Sequence, residues 1–537
     1  MNDSRTPGRR TNARVRIHPS RLDSRRIFSR EARRLSTEET RSWNERNRPL
    51  LDRYQLDIAA ISVLPLPVDS PAAGGKGPLQ SEHRDRLLLT SALAALAVSV
   101  AGRGDLLAVD PERRGDFKIR IKENNDRNST AAMTEALYAL CEASPDVRIR
   151  IAIGEGARTK PGERGGNPTL YGGQVIGAAS HDTGVTEYSV AVDTVEGTTK
   201  SAVFEPSCGT LLYVTSSPIA AVPDVYFDKC QLRGIDGITV ADPLERIVEA
   251  ARDYHHTSDL NFFALDRPRH PIDRMLALGA NMRLDDACDA YPAVASGLFW
   301  GVFPDNLRPL DGVCANIGGA AEMIASAAGA YYLGVRSTAR FCASRIPAWE
   351  KRYDFGPGEE EHIRAKGFDP ARVYRIEDLV PDIEHADGAF LASAIADNWH
   401  IPGLEAVYVG GNFATVDTLF VGSAGTADLY RITFTYRRPL EETAAGMTPV
   451  LTRILSLAPD EIPGAVRAAV ADPDRSRRLR HEVATSFYMH LGEPETPQEE
   501  DRRMRLDLES AGRAESPETM LFLREITSAA PDWFKPL

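Results

Sequence analysis

Asp193 and Glu196 stand three residues apart where an apolar run ends, in "SVAVDTVEGTTKSA" (189–202). Glu155 follows an earlier apolar run, "VRIRIAI" (147–153), inside Gly-Glu-Gly. On one tight turn Asp193 and Glu196 can point to the same side, and Glu155 can face them. Three such carboxylates repel strongly unless a cation stands between them. Oxygen donors without His or Cys favour magnesium or manganese over zinc or copper. Gly197-Thr198-Thr199 would open a helix after the turn, presenting N–H groups and the positive dipole end to an anion. Metal, helix start and hydroxyl together suit hydrolysis of a phosphate ester. Taken alone, Asp193 and Glu196 read equally well as turn and N-cap acids.

The elements that must position these groups alternate between helix and strand. A helical pattern runs from about Pro49 to Ala60, and "LPLPVDSPAAGGKGP" after it reads as a linker. An apolar helix is expected from about Ser81 to Gly102. A polar loop containing "KENNDRNST" should follow, then a helix over 129–143 with Ser129 as its cap. "VRIRIAI" and "YSVAV" (188–192) read as strands that hand over to acid-bearing loops, where functional residues of α/β sheets gather. A second α/β region starts near Asn261. It includes "FFAL", a turn and helix over "DRPRHPIDRMLALGA", and "ANIGGAAEMIASAAGAYYLG"; "EAVYVGG" and "LYRITFTYRRP" look like closing strands. Beyond Glu441 the pattern is helical and highly charged. The division expected is an Arg-rich extension and linker (1–80), a domain carrying the metal site (81–260), a second α/β domain (261–440) and a charged helical extension (441–537).

Composition narrows the function classes. The 537 residues are 42% hydrophobic and 26% charged, as in a folded enzyme, and no apolar run is long enough to span a membrane. The first fifty residues hold fourteen arginines, no lysine and six acids, against a net charge of −12 for the whole chain. That head reads as a solvated, partly disordered extension. The acidic remainder argues against nucleic acid as a partner. Six cysteines without a CxxC pair suit reduced thiols in a cytoplasm.

With these residues in hand, the sequence resembles the metal-dependent, lithium-sensitive phosphatase superfamily, and more narrowly the class II fructose-1,6-bisphosphatases. The resemblance rests on Asp-x-Val-Glu-Gly-Thr after a strand and Gly-Glu-Gly after an earlier one. Further stretches keep the family's order: "GRGD" (102–105), "PDVYFDK" (223–229), "RPRH" (267–270) and "IGGAAE" (317–322). It spans about Gly102 to Arg438 and implies a layered α/β/α/β/α sandwich of two α/β halves. It also implies magnesium or manganese, a small sugar phosphate as substrate and a homo-oligomer. Carried over residue by residue, Glu155, Asp193, Glu196, Glu322, Asp126 and the carbonyl of Val195 match metal ligands. Asp126 and Thr198 match the pair acting on the nucleophilic water. Gly197, Thr198 and Thr199 would hold the scissile phosphate, while Tyr226, Arg267, Arg269 and Asp289 match positions lining the sugar and second phosphate. Without the resemblance, Glu322 is an ordinary first-turn acid, Tyr226 a packing residue, and the two arginines surface charges; His270 reads as structural.

The sequence departs from the family's pattern at four places. Ala157 stands for a second glutamate and Thr194 for a proline. Asp286-Ala287-Cys288-Asp289 is one aspartate short, and "ARTKPGERGGNP" lengthens the loop after Glu155. Three readings follow: a fructose-1,6-bisphosphatase, a related phosphomonoesterase acting on sedoheptulose bisphosphate or an inositol phosphate, and a non-catalytic regulatory paralogue.

Overall fold

The structure is a computed structural model and describes residues 13–16, 32–54, 56–66, 68, 81–100, 112, 114–154, 170–177, 184–203, 208–223, 225–285, 310–396, 414–437, 452 and 455–470. Strand β1 (Arg14–Arg16) and strand β2 (Arg33–Arg34) open it. Ser36 caps helix α1 (Thr37–Arg46) reciprocally: its hydroxyl accepts from Glu39 N, and Glu39 Oε2 accepts from Ser36 N at 2.8 Å. Helix α2 (Arg48–Tyr54) follows. The helix expected over 49–60 stops there, because the chain continues as strand β3 (Leu56–Pro65), with Leu56, Ile58, Ile61 and Leu64 buried. Branched side chains pack well on a pleated surface, and here that wins over helical periodicity. Leu64 and Pro65 of the expected linker belong to this strand, and most of the linker lies outside the described residues.

Helix α3 (Ser81–Val100) lies where its apolar residues put it. Helix α4 (Arg114–Ala143) does not begin at Ser129. No Gly or Pro interrupts "KENNDRNST", so nothing stops the helix, and Ser129 and Thr130 turn their hydroxyls back onto Asp126 O at 2.9 and 2.7 Å. Asp126 therefore sits on a helix and not in a loop.

Seven elements with a strand bias or short helical span follow: β4 (Val147–Ile153), β5 (Val175–Gly177), β6 (Thr186–Glu196), α5 (Thr198–Ala202), β7 (Gly209–Thr215), β8 (Tyr226–Leu232) and α6 (Leu244–His255). Then come β9 (Leu260–Leu265), α7 (Ile272–Ala277), β10 (Ala280–Asp285), β11 (Gly312–Gly319), α8 (Ala320–Tyr332) and β12 (Arg336–Cys342). The described chain closes with α9 (Glu359–Ala365), β13 (Tyr374–Arg375), α10 (Ile376–Leu379), β14 (Gly388–Ala394), β15 (Ala414–Gly422), β16 (Thr426–Tyr436) and α11 (Ile462–Val470). "EAVYVGG" and the charged stretch after α11 lie outside the described residues.

The strands form two mixed sheets. One has nine strands in the order β2-β3-β16-β15-β14-β7-β6-β4-β5, and the other seven in the order β1-β10-β9-β11-β8-β12-β13. Three apolar layers hold them, and the fold is α/β. Helices α1 to α4 cover one face of the nine-stranded sheet through Leu50, Leu89, Leu93, Leu137, Ile149 and Val190. Helix α8 lies between the sheets, where Ile324, Ala327 and Ala328 share a core with Tyr213, Phe390, Phe227 and Phe341. A helix that is apolar all round needs cover on every side, and α8 has it from both sheets. Helices α6 and α7 cover the far face of the seven-stranded sheet through Ile247, Val248, Ile272 and Met275. The result is the α/β/α/β/α layering.

The arginine-rich head differs from a solvated extension over its described residues. β1 runs parallel to β10, with Arg14 opposite Met282, and β2 pairs antiparallel with β3, with Arg33 opposite Val63. The head thus contributes strands to both sheets.

Candidate active site

Strand β6 is buried from Tyr188 onward, and it ends in the acidic turn. Asp193 lies opposite Leu211 and Glu196 opposite Gly209, so the β6 side carries one residue more than β7 there. Such a bulge bends a strand and re-aims its side chains. Val195 N donates to Asp193 Oδ1 at 3.1 Å, and the Asp193 and Glu196 side chains are held in the buried strand end. Gly197 then takes φ +90°, a left-handed conformation that disfavours a residue with a Cβ, and the chain turns into α5. The expectation that Gly-Thr-Thr starts a helix holds, although the helix is only five residues long.

Helix α4 is stitched to this turn at two positions three residues apart, which share one helix face. Thr198 Oγ1 donates to Asp126 Oδ1 at 2.9 Å. Ser129 Oγ and Thr194 Oγ1 lie 2.9 Å apart, both buried. Thr194, which stands where the resemblance expects proline, has thus acquired a partner that proline could not engage. Both Asp126 and Thr198 are partly exposed, so the pair is open to a small molecule.

Glu322 sits in the first turn of α8, after Gly319 at the N-cap, as expected. A Cβ on Gly319 would lie 2.5 Å from Glu322 Oε2, so the carboxylate folds back over its own N-cap residue. Glu155 and Asp289 lie outside the described residues. Among the described residues, no three His, Cys, Asp or Glu side chains form a group that could hold a metal ion. In donor type, the two buried carboxylates on the turn and the Val195 carbonyl suit an oxygen-ligated divalent cation.

The second half of the expected site stands on the seven-stranded sheet. The Arg269 guanidinium lies over the Tyr226 ring, 5.2 Å from its centroid, which joins two residues expected to line the same pocket. Arg267 is exposed. His270 holds the turn between them: Nδ1 donates to Leu265 O at 2.7 Å, and Nε2 accepts from Ile317 N at 3.2 Å. Both ring nitrogens are engaged by backbone, as the structural reading of His270 expects. Two residues beyond Tyr226, Asp228 is fully buried and accepts from Arg352 Nε at 2.7 Å and Tyr353 OH at 2.9 Å. Burial outweighs the arginine and pushes its carboxyl up to about 7.

One further contact leaves no local signature along the chain. Lys200 of α5 reaches Asp285, the last residue of β10, with Nζ 2.8 and 2.7 Å from the two carboxylate oxygens. Both side chains are buried, at 4% and 0% exposure. A lysine inside "EGTTKSA" looks like a helix-surface charge, and only the folded chain reveals its partner.

A hydroxyl bonded to a carboxylate, beside an acidic turn on an α/β scaffold, suits a phosphatase, and the family the chain matches is one of phosphoric monoester hydrolases. The family model described as "Bacterial fructose-1,6-bisphosphatase, glpX-encoded" matches residues 116–433, more than half of the chain, and the chain belongs to that family. The match leaves out β1 to β3, α1 to α3 and the C-terminal stretch. No curated protein matches the chain. Class II fructose-1,6-bisphosphatases are metal-dependent. Among the described residues, no helix is long and apolar enough to cross a membrane.

Proposed function

We propose that the protein hydrolyses fructose 1,6-bisphosphate to fructose 6-phosphate and phosphate, with magnesium or manganese. The observation that carries this reading is the Thr198–Asp126 hydrogen bond beside the buried Asp193–Glu196 turn. With its hydroxyl hydrogen-bonded to Asp126, the Thr198 oxygen keeps lone pairs that can accept from a water and aim it at phosphorus. The water oxygen forms the new P–O bond as the bond from phosphorus to the sugar oxygen breaks; the water's proton passes to Thr198 Oγ1 as the Thr198 proton passes to Asp126, and the released sugar oxygen takes a proton from solvent water. Asp193, Glu196, Glu322, the Val195 carbonyl and Glu155 would hold the divalent cation, which supplies charge stabilisation for the phosphoryl group and the leaving oxygen. Gly197, Thr198 and Thr199 hold the scissile phosphate. Arg267, Arg269, Tyr226 and Asp289 take the sugar and its far phosphate, for which a guanidinium fork is well suited.

A related phosphomonoesterase is the second reading, favoured by the "DACD" stretch (286–289), which is one aspartate short of the family's pattern. The buried free thiols at Cys141, Cys208, Cys230, Cys314 and Cys342 support a reducing, cytoplasmic setting. The test is phosphate release with magnesium or manganese from fructose 1,6-bisphosphate, sedoheptulose 1,7-bisphosphate and inositol monophosphates. Preference for fructose 1,6-bisphosphate supports the first reading, and preference for either of the others moves the protein to the second.

A further inference from the structure

We propose that the buried Lys200–Asp285 pair is a positioning device that fixes the distance between the two phosphate-binding ends of the site, and so selects bisphosphates over monophosphates. This inference rests on the reading of the site given above.

Three contacts meet at Asp285. Its carboxylate takes Lys200 Nζ with both oxygens, and Lys200 lies one residue after Thr199 in α5. Its backbone carbonyl accepts from Asp266 N at 2.7 Å, where the Arg267–Arg269 turn begins. Its strand pairs in register with β9, so that Asp285 lies opposite Leu265, whose carbonyl in turn holds His270. One residue therefore connects the hydroxyl-bearing helix on the nine-stranded sheet to the arginine turn on the seven-stranded sheet.

The chemistry of the contact suits this task. Two charges withdrawn from water gain little net stability, and an apolar pair of similar size could replace them at small cost. A two-oxygen contact to an ammonium group is directional, whereas apolar packing tolerates sliding. A monophosphate engages only the Thr198 end and is indifferent to the spacing. A bisphosphate must satisfy both ends at once, and a small misplacement of either is costly for catalysis.

The experiment uses the full chain with Lys200→Met and Asp285→Leu combined, so that no buried charge is left alone. Steady-state kinetics are measured on fructose 1,6-bisphosphate and on p-nitrophenyl phosphate, alongside thermal melting. The expected result is a melting temperature close to the parent's, kcat/KM for the bisphosphate at least tenfold lower, chiefly through KM, and p-nitrophenyl phosphate hydrolysis within threefold. Restoring Lys200 opposite Asp285→Glu should recover most of the bisphosphate KM. Bisphosphate kinetics within twofold of the parent, or an equal fall on both substrates, would overturn the proposal. If the parent chain turns over p-nitrophenyl phosphate but no bisphosphate, the substrate reading fails first and the spacing role falls with it.

Discussion

Thr198 donates its hydroxyl proton to Asp126 at 2.9 Å, although 72 residues of chain separate them. The bond joins the start of α5 to the middle of α4, and it places an acceptor oxygen next to the acidic turn. Replacing Asp126 with Asn should keep a hydrogen-bond partner for Thr198 while removing the proton acceptor. Phosphate release from the preferred substrate should then fall by about a hundredfold or more, the usual scale for a positioned base. Comparing kcat for Asp126→Asn with the parent at saturating metal checks this; a fall of less than threefold would remove Asp126 from the proton path.

The Lys200–Asp285 pair also makes a prediction about stability. Lys200→Met alone leaves a fully buried carboxylate without its ammonium partner. Breaking one side of a buried pair costs about 3–5 kcal/mol. Urea unfolding of the single variant should show that loss, and adding Asp285→Leu should recover most of it. An unaltered midpoint for Lys200→Met would mean that water or another group compensates Asp285.

Much of the architecture could be read directly from the sequence, because it rests on local patterns. "VRIRIAI" alternates and forms β4 over those same seven residues, and the largely apolar helix entered at "IGGAAE" becomes the central α8. The acidic turn was visible because its parts are neighbours in sequence. Asp126 is marked only by the family resemblance and reads as a loop residue, since polar residues without a breaker look alike in a loop and on a helix face. Lys200–Asp285 and the β1–β10 pairing were not visible, because each depends on a partner far along the chain. The pairing of β3 with β16 likewise joins segments that a linear division of the chain keeps apart.

Asp228 should leave a pH signature. Its carboxyl is raised from 3.8 to about 7 by burial, so between those values the folded state holds a proton that the unfolded state has released. Fewer protons on the unfolded chain mean that stability falls as pH rises through this window. Asp228→Asn cannot ionise and still offers an oxygen to Arg352 and Tyr353. Its melting temperature should therefore drop less than the parent's between pH 5 and pH 7; equal drops would show that Asp228 stays ionised in the fold.

The described segments before the family-matched span are structural. Leu50, Leu51, Leu56, Ile58 and Ile61 share the core with α3 and α4, and β3 covers the edge of β16. Removing residues 1–66 strips this cover and exposes a long strand edge. The truncated chain should be aggregated or lack a cooperative melting transition. A soluble, active fragment would show that the matched span folds alone.

The most direct test of the central claim is phosphate release from fructose 1,6-bisphosphate by the full chain and by Thr198→Val, each with magnesium or manganese and again after chelation. Valine keeps the shape of threonine and removes only the hydroxyl. The account predicts metal-dependent release by the parent, a loss of about a hundredfold or more in the variant, and matching melting curves. Release that survives chelation, or a Thr198→Val protein as active as the parent, would contradict it.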